Sequence, residues 1–268
     1  MLKDITLGQY FPINSFLHRL DPRTKILIFI FDIVAIFIAK SVFSYAVLTV
    51  LTFLIMIISK VPVKMYFKGL KPILYIIVFT ALLNLFLTKG EHKITVYGFN
   101  TGMTVEGAIV AAKMAVRLVL LIIGSCALTY TTSPMALTDG IEKLLKPLSK
   151  LRFPTHELAM MMSIAIKFVP TLIEETDKII KAQQARGASF DTGSIFKRAK
   201  SLIPMLVPLF ISAFRRADEL AIAMESRCYT GGDGRTRLNE IRFTRTDAVG
   251  FFVFLLFFAC VIVLDIVF

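Results

Sequence analysis

The chain has 268 residues, 56% of them apolar, and a mean hydropathy of +0.73. That exceeds what a soluble domain normally carries, so the expected class is an integral membrane protein. The formal net charge of +12 matters for which loops carry it, since basic loops mark the cytoplasmic side, and no nucleic-acid partner is expected.

Residues 1–25 read as a polar, cytoplasmic or interfacial lead-in. Phe11, Ile13, Phe16, Leu17 and Leu20 suit the membrane interface. A short apolar core with a cleavage site is absent from this stretch, so the first hydrophobic segment is expected to act as its own insertion signal. Leu20-Asp21-Pro22-Arg23-Thr24-Lys25 follows, in which Asp21 and Pro22 suit a helix start.

Residues 26–132 form a four-span membrane region. Runs 26–39 and 42–58 are parted by Lys40 and Ser41; 72–87 and 105–131 are the third and fourth spans. Between the last two, Thr95, Val96 and Tyr97 suggest a small hairpin. Asp32 lies inside the first run, where a carboxylate is costly and usually faces a partner within the bundle. Lys113 and Arg117 lie one turn apart on the fourth span. They either pair with Asp32 as an intramembrane ion pair or snorkel to the surface. Lys60, Lys64, Lys68 and Lys71 crowd one loop, and Lys3, Arg19, Arg23 and Lys25 precede the first span. The positive-inside rule therefore places the amino terminus in the cytoplasm.

Residues 133–246 form a helical cytoplasmic insert. Ser133 and Pro134 open an amphipathic helix with Leu137, Ile141, Leu144, Leu145 and Leu148 on its apolar side and Lys143, Lys146 and Lys150 elsewhere. Pro154 opens the next, with Met160, Met161 and Met162 serving as core filler or as an adaptable contact surface. Pro170 kinks or restarts that helix, Glu174–Lys178 and Asp177–Lys181 give it i,i+4 support, and Gly193 and Ser194 mark a turn. Pro204 and Pro208 interrupt the run Leu202–Phe214, which is too short to span. Gly231, Gly232 and Gly234 read as a helix stop and exit loop. Residues 247–268 give a fifth span, with Asp265 near its outer end, and leave the carboxyl terminus outside.

Two stretches of this insert repeat. Aligned on Arg186 and Arg227, they share Asp177 with Asp218, Ile179 with Leu220, and Ala182 with Ala223. Leu172, Ile173, Thr176, Ile179, Ile180 and Gln183 form one stripe, and Arg186 continues it. Leu206, Ala213 and Leu220 step toward Arg227 in the same way, with Phe210, Ala217 and Met224 beside them. Each arginine thus ends an apolar face, where its rigid fork suits a carboxylate or a row of carbonyls. An ordinary helix cap reads the same residues as well: a cation in the last turn, followed by a glycine.

Cys126, Cys228, Cys260 and His18, His92, His156 are scattered without metal or disulfide spacing. No nucleotide, metalloprotease, serine-hydrolase or thioredoxin-type motif is found. A catalytic residue, a metal and a resident cofactor are not expected. The whole is read as an all-α integral membrane protein of about five spans, with a helical coupling domain inserted before the last.

In this order and with these signatures, the chain resembles the transmembrane T component of energy-coupling factor (ECF) transporters. The most specific matches are Ala185-Arg186-Gly187 and Ser226-Arg227-Cys228; the second departs from Ala-Arg-Gly in both flanking residues. The resemblance implies a non-catalytic scaffold in the cell membrane. Its two arginine-bearing helix ends would dock on two ABC-type ATPase subunits, which bind the ATP and Mg, and its membrane face would hold a substrate-binding S component for vitamin or metal uptake. Alternatives are an ordinary ABC permease lining its own substrate path and a membrane-embedded transferase.

Overall fold

A computed structural model of the chain describes residues 10–88, 93–96, 99–147, 154–188, 195–231 and 243–267. The expected turn at Gly193 and Ser194, the exit loop at Gly232 and Gly234, Tyr97 of the hairpin, and Leu148 and Lys150 lie outside these residues. The fold divides into two compact units, one of residues 8–140 with 241–268, the other of residues 1–7 with 141–240.

The first unit is a helical bundle. It begins with α1 (Phe16–Arg19), α2 (Pro22–Ile38), α3 (Val42–Ser59), α4 (Val63–Leu70) and α5 (Leu74–Leu87). A hairpin of β1 (Lys93–Val96) and antiparallel β2 (Phe99–Thr104) precedes α6 (Val105–Thr131). The unit also takes in the start of α7 (Pro134–Leu145), and its last helix is α10 (Arg245–Val267). The helix starts follow the sequence. Asp21 accepts a bond from the Arg23 amide at 2.9 Å with Pro22 in the first position. Ser133 caps α7 through the Ala136 amide at 3.3 Å, and Thr104 caps α6 through Gly107 at 3.1 Å. Such caps satisfy amides that have no partner inside the helix.

Helix α6 packs against α2, α3, α4 and α5, while α10 lies against α2 and α3. Ala35, Ile36, Leu48, Leu120 and Val261 close the core where α2, α3, α6 and α10 meet. A second cluster joins Val61, Tyr66, Ala127 and Tyr130. There the Tyr66 and Tyr130 rings meet edge-on at 5.4 Å, and the Tyr130 hydroxyl donates to the Met65 carbonyl at 3.1 Å.

Helix α10 is tied at both ends by carboxylates. In its first turn, Asp247 accepts the Asp21 amide at 2.6 Å, at the start of α2. In its last, Asp265 accepts the Lys40 and Ser41 amides at 2.8 Å each, at the start of α3. Beside α2, His18 donates from Nε2 to the Phe11 carbonyl at 2.9 Å and accepts from the Ser15 hydroxyl at 2.7 Å. Burial holds its pKa below 6.5, and the nearby Lys25 charge adds to that.

Among the described residues, four helices are long and apolar enough to cross a membrane: α3, α6, α8 (Thr155–Ala185) and α10. The pair α4 and α5, bent by 58°, adds a fifth if it is one span. Helix α2 has 17 residues, about 25 Å at 1.5 Å per residue, at the short end of the range for a span. One detail differs from the sequence reading. Helix α8 qualifies by length and composition because residues 155–172 include only Glu157 and Lys167 as charged residues, although Glu174, Glu175, Asp177, Lys178 and Lys181 follow.

The second unit holds the end of α7, α8 and α9 (Ile195–Glu225). Pro170 lies within α8, and Pro204 and Pro208 lie within α9. None of the three ends its helix, contrary to the expectation that Pro204 and Pro208 interrupt the run.

Candidate functional site

Helices α8 and α9 pack against each other, and the cross-links between them fix their sense. Gln183, late in α8, donates to the carbonyl of Pro204, early in α9, at 3.3 Å. Glu175 lies 3.0 Å from Arg216 and accepts from Ser212. Residue numbers rise on one helix as they fall on the other, so the pair is antiparallel. Ile164, Phe168 and Leu172 of α8 and Ala213, Ala217, Leu220 and Met224 of α9 line the groove between them.

Each of these links has a local cause. Pro208 has no N–H, so the Pro204 carbonyl loses its helical donor four residues on. The Gln183 amide supplies the replacement. Glu175 and Arg216 are both partly shielded, and an arginine beside a carboxylate is the stronger kind of polar contact. The sequence reading pairs Glu174 with Lys178 and Asp177 with Lys181 on the helix surface and gives Glu175 no partner. Among the described residues, no ion pair joins Glu174 to Lys178 or Asp177 to Lys181; the i,i+4 pair that forms is Arg215–Glu219 on α9, at 3.9 Å.

The two arginine signatures have the same backbone geometry. In the first, the Gly187 amide bonds to the Gln184 carbonyl and the Ala188 amide to the Gln183 carbonyl, both at 3.0 Å. In the second, the Cys228 amide bonds to Glu225 at 2.8 Å and the Tyr229 amide to Met224 at 3.0 Å. These are the paired bonds of a Schellman stop. Gly187 (φ +87°) and Cys228 (φ +55°) hold its left-handed position. Arg186 and Arg227 therefore both occupy the final residue before the reversal, with Ala185 and Ser226 preceding them. Both are exposed, and neither side chain has a hydrogen bond or ion pair to any described residue. The helix-cap reading and the repeat are thus two aspects of one motif: the stop positions the arginine.

Because α8 and α9 are antiparallel, the two arginines project at opposite ends of the pair. From the level of Pro204 to Arg227 is 23 residues of chain, a separation on the order of 30 Å. Away from the groove, α9 exposes Ile203, Val207, Phe210, Ile211 and Phe214 on one face. Phe210, which the sequence places beside the Leu206, Ala213 and Leu220 stripe, is exposed and stacked on Phe214.

The expected ion pair of Asp32 with Lys113 and Arg117 does not form. Lys113 donates to the Lys40 carbonyl at 2.6 Å and Arg117 to the Ala39 carbonyl at 3.3 Å. Arg117 also lies over the Phe37 and Tyr45 rings. Both cations serve the carbonyl end of α2, where the helix dipole favours them, while Asp32 sits nearly two turns back along that helix. Among the described residues, no group of three or more His, Cys, Asp or Glu side chains is placed to hold a metal.

Comparison with known proteins gives consistent matches. Residues 13–238 match the family described as cobalt transport protein, CbiQ. The energy-coupling factor transporter transmembrane protein EcfT of Ruminiclostridium cellulolyticum is 54% identical over the full length of both chains. Its namesake in Clostridium kluyveri is 55% identical over 93% of this chain and 92% of that one. The EcfT of Bacillus subtilis is 46% identical over 92% and 93%.

Proposed function

The chain belongs to the CbiQ family of transporter membrane components, and from that premise we propose that it is the T component of an ECF-type importer, coupling two ATPase subunits to a substrate-binding S component. As a multi-pass membrane subunit of a transporter, it carries motion rather than chemistry.

The carrying observation is the pair of matching arginine stops at opposite ends of an antiparallel helix pair. Two equivalent ends, well separated, suit two equivalent partners, one to each. In this reading Arg186 binds one ATPase and Arg227 the other, each in an acidic or carbonyl-rich groove. The Glu175–Arg216 and Gln183–Pro204 links make α8 and α9 one body, so displacement at either end moves the whole pair. The exposed apolar face of α9 then meets the membrane surface and the S component. ATP and Mg are held by the ATPases, and the S component selects the vitamin or metal. The amino terminus and the coupling helices lie in the cytoplasm, and the carboxyl terminus lies outside.

The test is co-purification. The chain is expressed with its ATPase subunits as wild type, Arg186→Glu, Arg227→Glu and the double variant. Each single reversal is expected to weaken capture, and the double to abolish it, with the membrane protein still folded. A buried arginine truncated at such a contact costs about 2–5 kcal/mol of docking. Full capture by the double variant would return both arginines to simple helix caps.

A further inference from the structure

Within the membrane bundle, between α2, α3, α6 and α10, lies a cavity of about 290 Å³. At roughly 30 Å³ each, it has room for about ten groups the size of a water or a methylene. Its wall is apolar apart from Lys25, Asp32 and Thr131, and its rim residues Phe16, Leu54, Val249 and Val253 are exposed on the outside of the bundle.

The two charged lining groups are placed very differently. Lys25 donates to the Thr131 carbonyl at 2.9 Å and the His18 carbonyl at 3.3 Å, with Asp21 and Asp247 as nearby countercharges. Asp32 is only 4% exposed, and no described group of the chain donates to its buried Oδ1. Its Oδ2 lies against Gly124, where a Cβ would come within 2.9 Å, so the glycine makes room for the carboxyl. A buried carboxyl without a donor is costly, and an intramembrane acid normally has an identifiable partner. Here the fold leaves the acid at the wall of a cavity whose rim faces outward.

We propose that this cavity is a lateral binding site for a single-chain amphiphile with a neutral hydroxyl head. The hydroxyl donates to Asp32, and the chain fills the apolar space toward the rim. The wall decides the class. A bound water wants two to four polar partners and a cation wants several oxygens; the apolar wall around Asp32 provides neither. A fatty-acid carboxylate has no hydrogen to donate to the unpartnered Asp32 oxygen, whereas a hydroxyl has one. This site is independent of the ATPase-docking reading and uses none of its residues.

The test uses the purified chain in nanodiscs of phosphatidylethanolamine and phosphatidylglycerol, with a diazirine-bearing long-chain alcohol as probe and peptide mapping as readout. Label is expected on the peptides carrying Asp32, Gly124–Leu128 and Val253–Phe257, competed by unlabelled monoacylglycerol and not by a fatty acid. Asp32→Ala should weaken labelling roughly fivefold, the scale of one hydrogen bond. Leu54→Trp, which closes the rim from an exposed position, should weaken it similarly, while Phe53→Trp, outside the lining, should not. Even labelling of all helices, or labelling unchanged in both Asp32→Ala and Leu54→Trp, would overturn the proposal. So would label that disappears when the full transporter assembles, since a partner's side chain would then be the occupant.

Discussion

Gly187→Ala and Cys228→Gly are opposite changes at one geometric position, and the shared stop predicts opposite signs. Gly187 sits at φ +87°, and a Cβ built there meets nothing within 4 Å. Backbone strain is therefore the only cost, and a left-handed L-residue carries about 1–2 kcal/mol of it. The stop depends on the Gly187 and Ala188 amides, bonded at 3.0 Å to Gln184 and Gln183. Their hydrogen exchange should quicken about 5–30-fold, the factor that 1–2 kcal/mol represents. Cys228 already bears such strain at φ +55°. Changing it to glycine relieves that strain, offset by about 0.5–1 kcal/mol of extra chain freedom in the open state. Exchange at Tyr229 should then be unchanged or slower. Hydrogen-exchange mass spectrometry of both helix ends reads each result. Unchanged exchange at Ala188 in Gly187→Ala, or faster exchange at Tyr229 in Cys228→Gly, would refute the common geometry. Because the stop sets where Arg186 points, Gly187→Ala should also weaken ATPase capture with the arginine intact.

Arg117 donates to the Ala39 carbonyl and not to Asp32, so a double-mutant cycle of Asp32→Asn with Arg117→Met should give a stability coupling below about 0.5 kcal/mol; a larger value would restore the ion pair. His18 has a pKa held below 6.5 in the folded chain, so the unfolded chain takes up its proton first. Its contribution to stability is present above pH 6.5 and is lost as the pH falls below that value. Unfolding followed from pH 8 to pH 5 should show a loss on acidification that shrinks in His18→Gln, and an equal loss in both proteins would remove His18 as the cause. For topology, a membrane-impermeant thiol reagent added outside intact cells should label Thr88→Cys and not Ala188→Cys, in a chain whose own three cysteines are replaced; the reverse pattern would invert the orientation.

Much of the fold could be read from the sequence because its signals are local. The Asp21-Pro22 and Ser133-Pro134 starts, the long apolar runs and the repeated small-Arg-small ends each depend on a few adjacent residues. The misreadings arose where a residue's partner is distant in sequence. Lys113 and Arg117 find carbonyls at the end of α2, and Glu175 finds Arg216 across the helix pair. Proline was read as a break, yet Pro208 stays within α9 while Gln183 takes up the carbonyl it frees. That link had a signal in sequence: a proline inside a helix always leaves one carbonyl seeking a donor. The Asp247 and Asp265 clamps had one too, as lone acids at either end of an otherwise apolar helix. The Schellman geometry shows that the cap fixes the position of each arginine, so a cap and an exposed arginine end are compatible at one place. It also explains how Cys228 replaces Gly187, at the cost of strain rather than of space.

The central claim is that the two arginine ends serve two separate ATPase copies at once. A photo-crosslinking amino acid placed at Ala185 and Ser226, singly and together, tests it in the assembled transporter. Each single position should trap one ATPase, and the double should trap two on the same chain. A double variant that still carries only one ATPase, or none, would contradict the account.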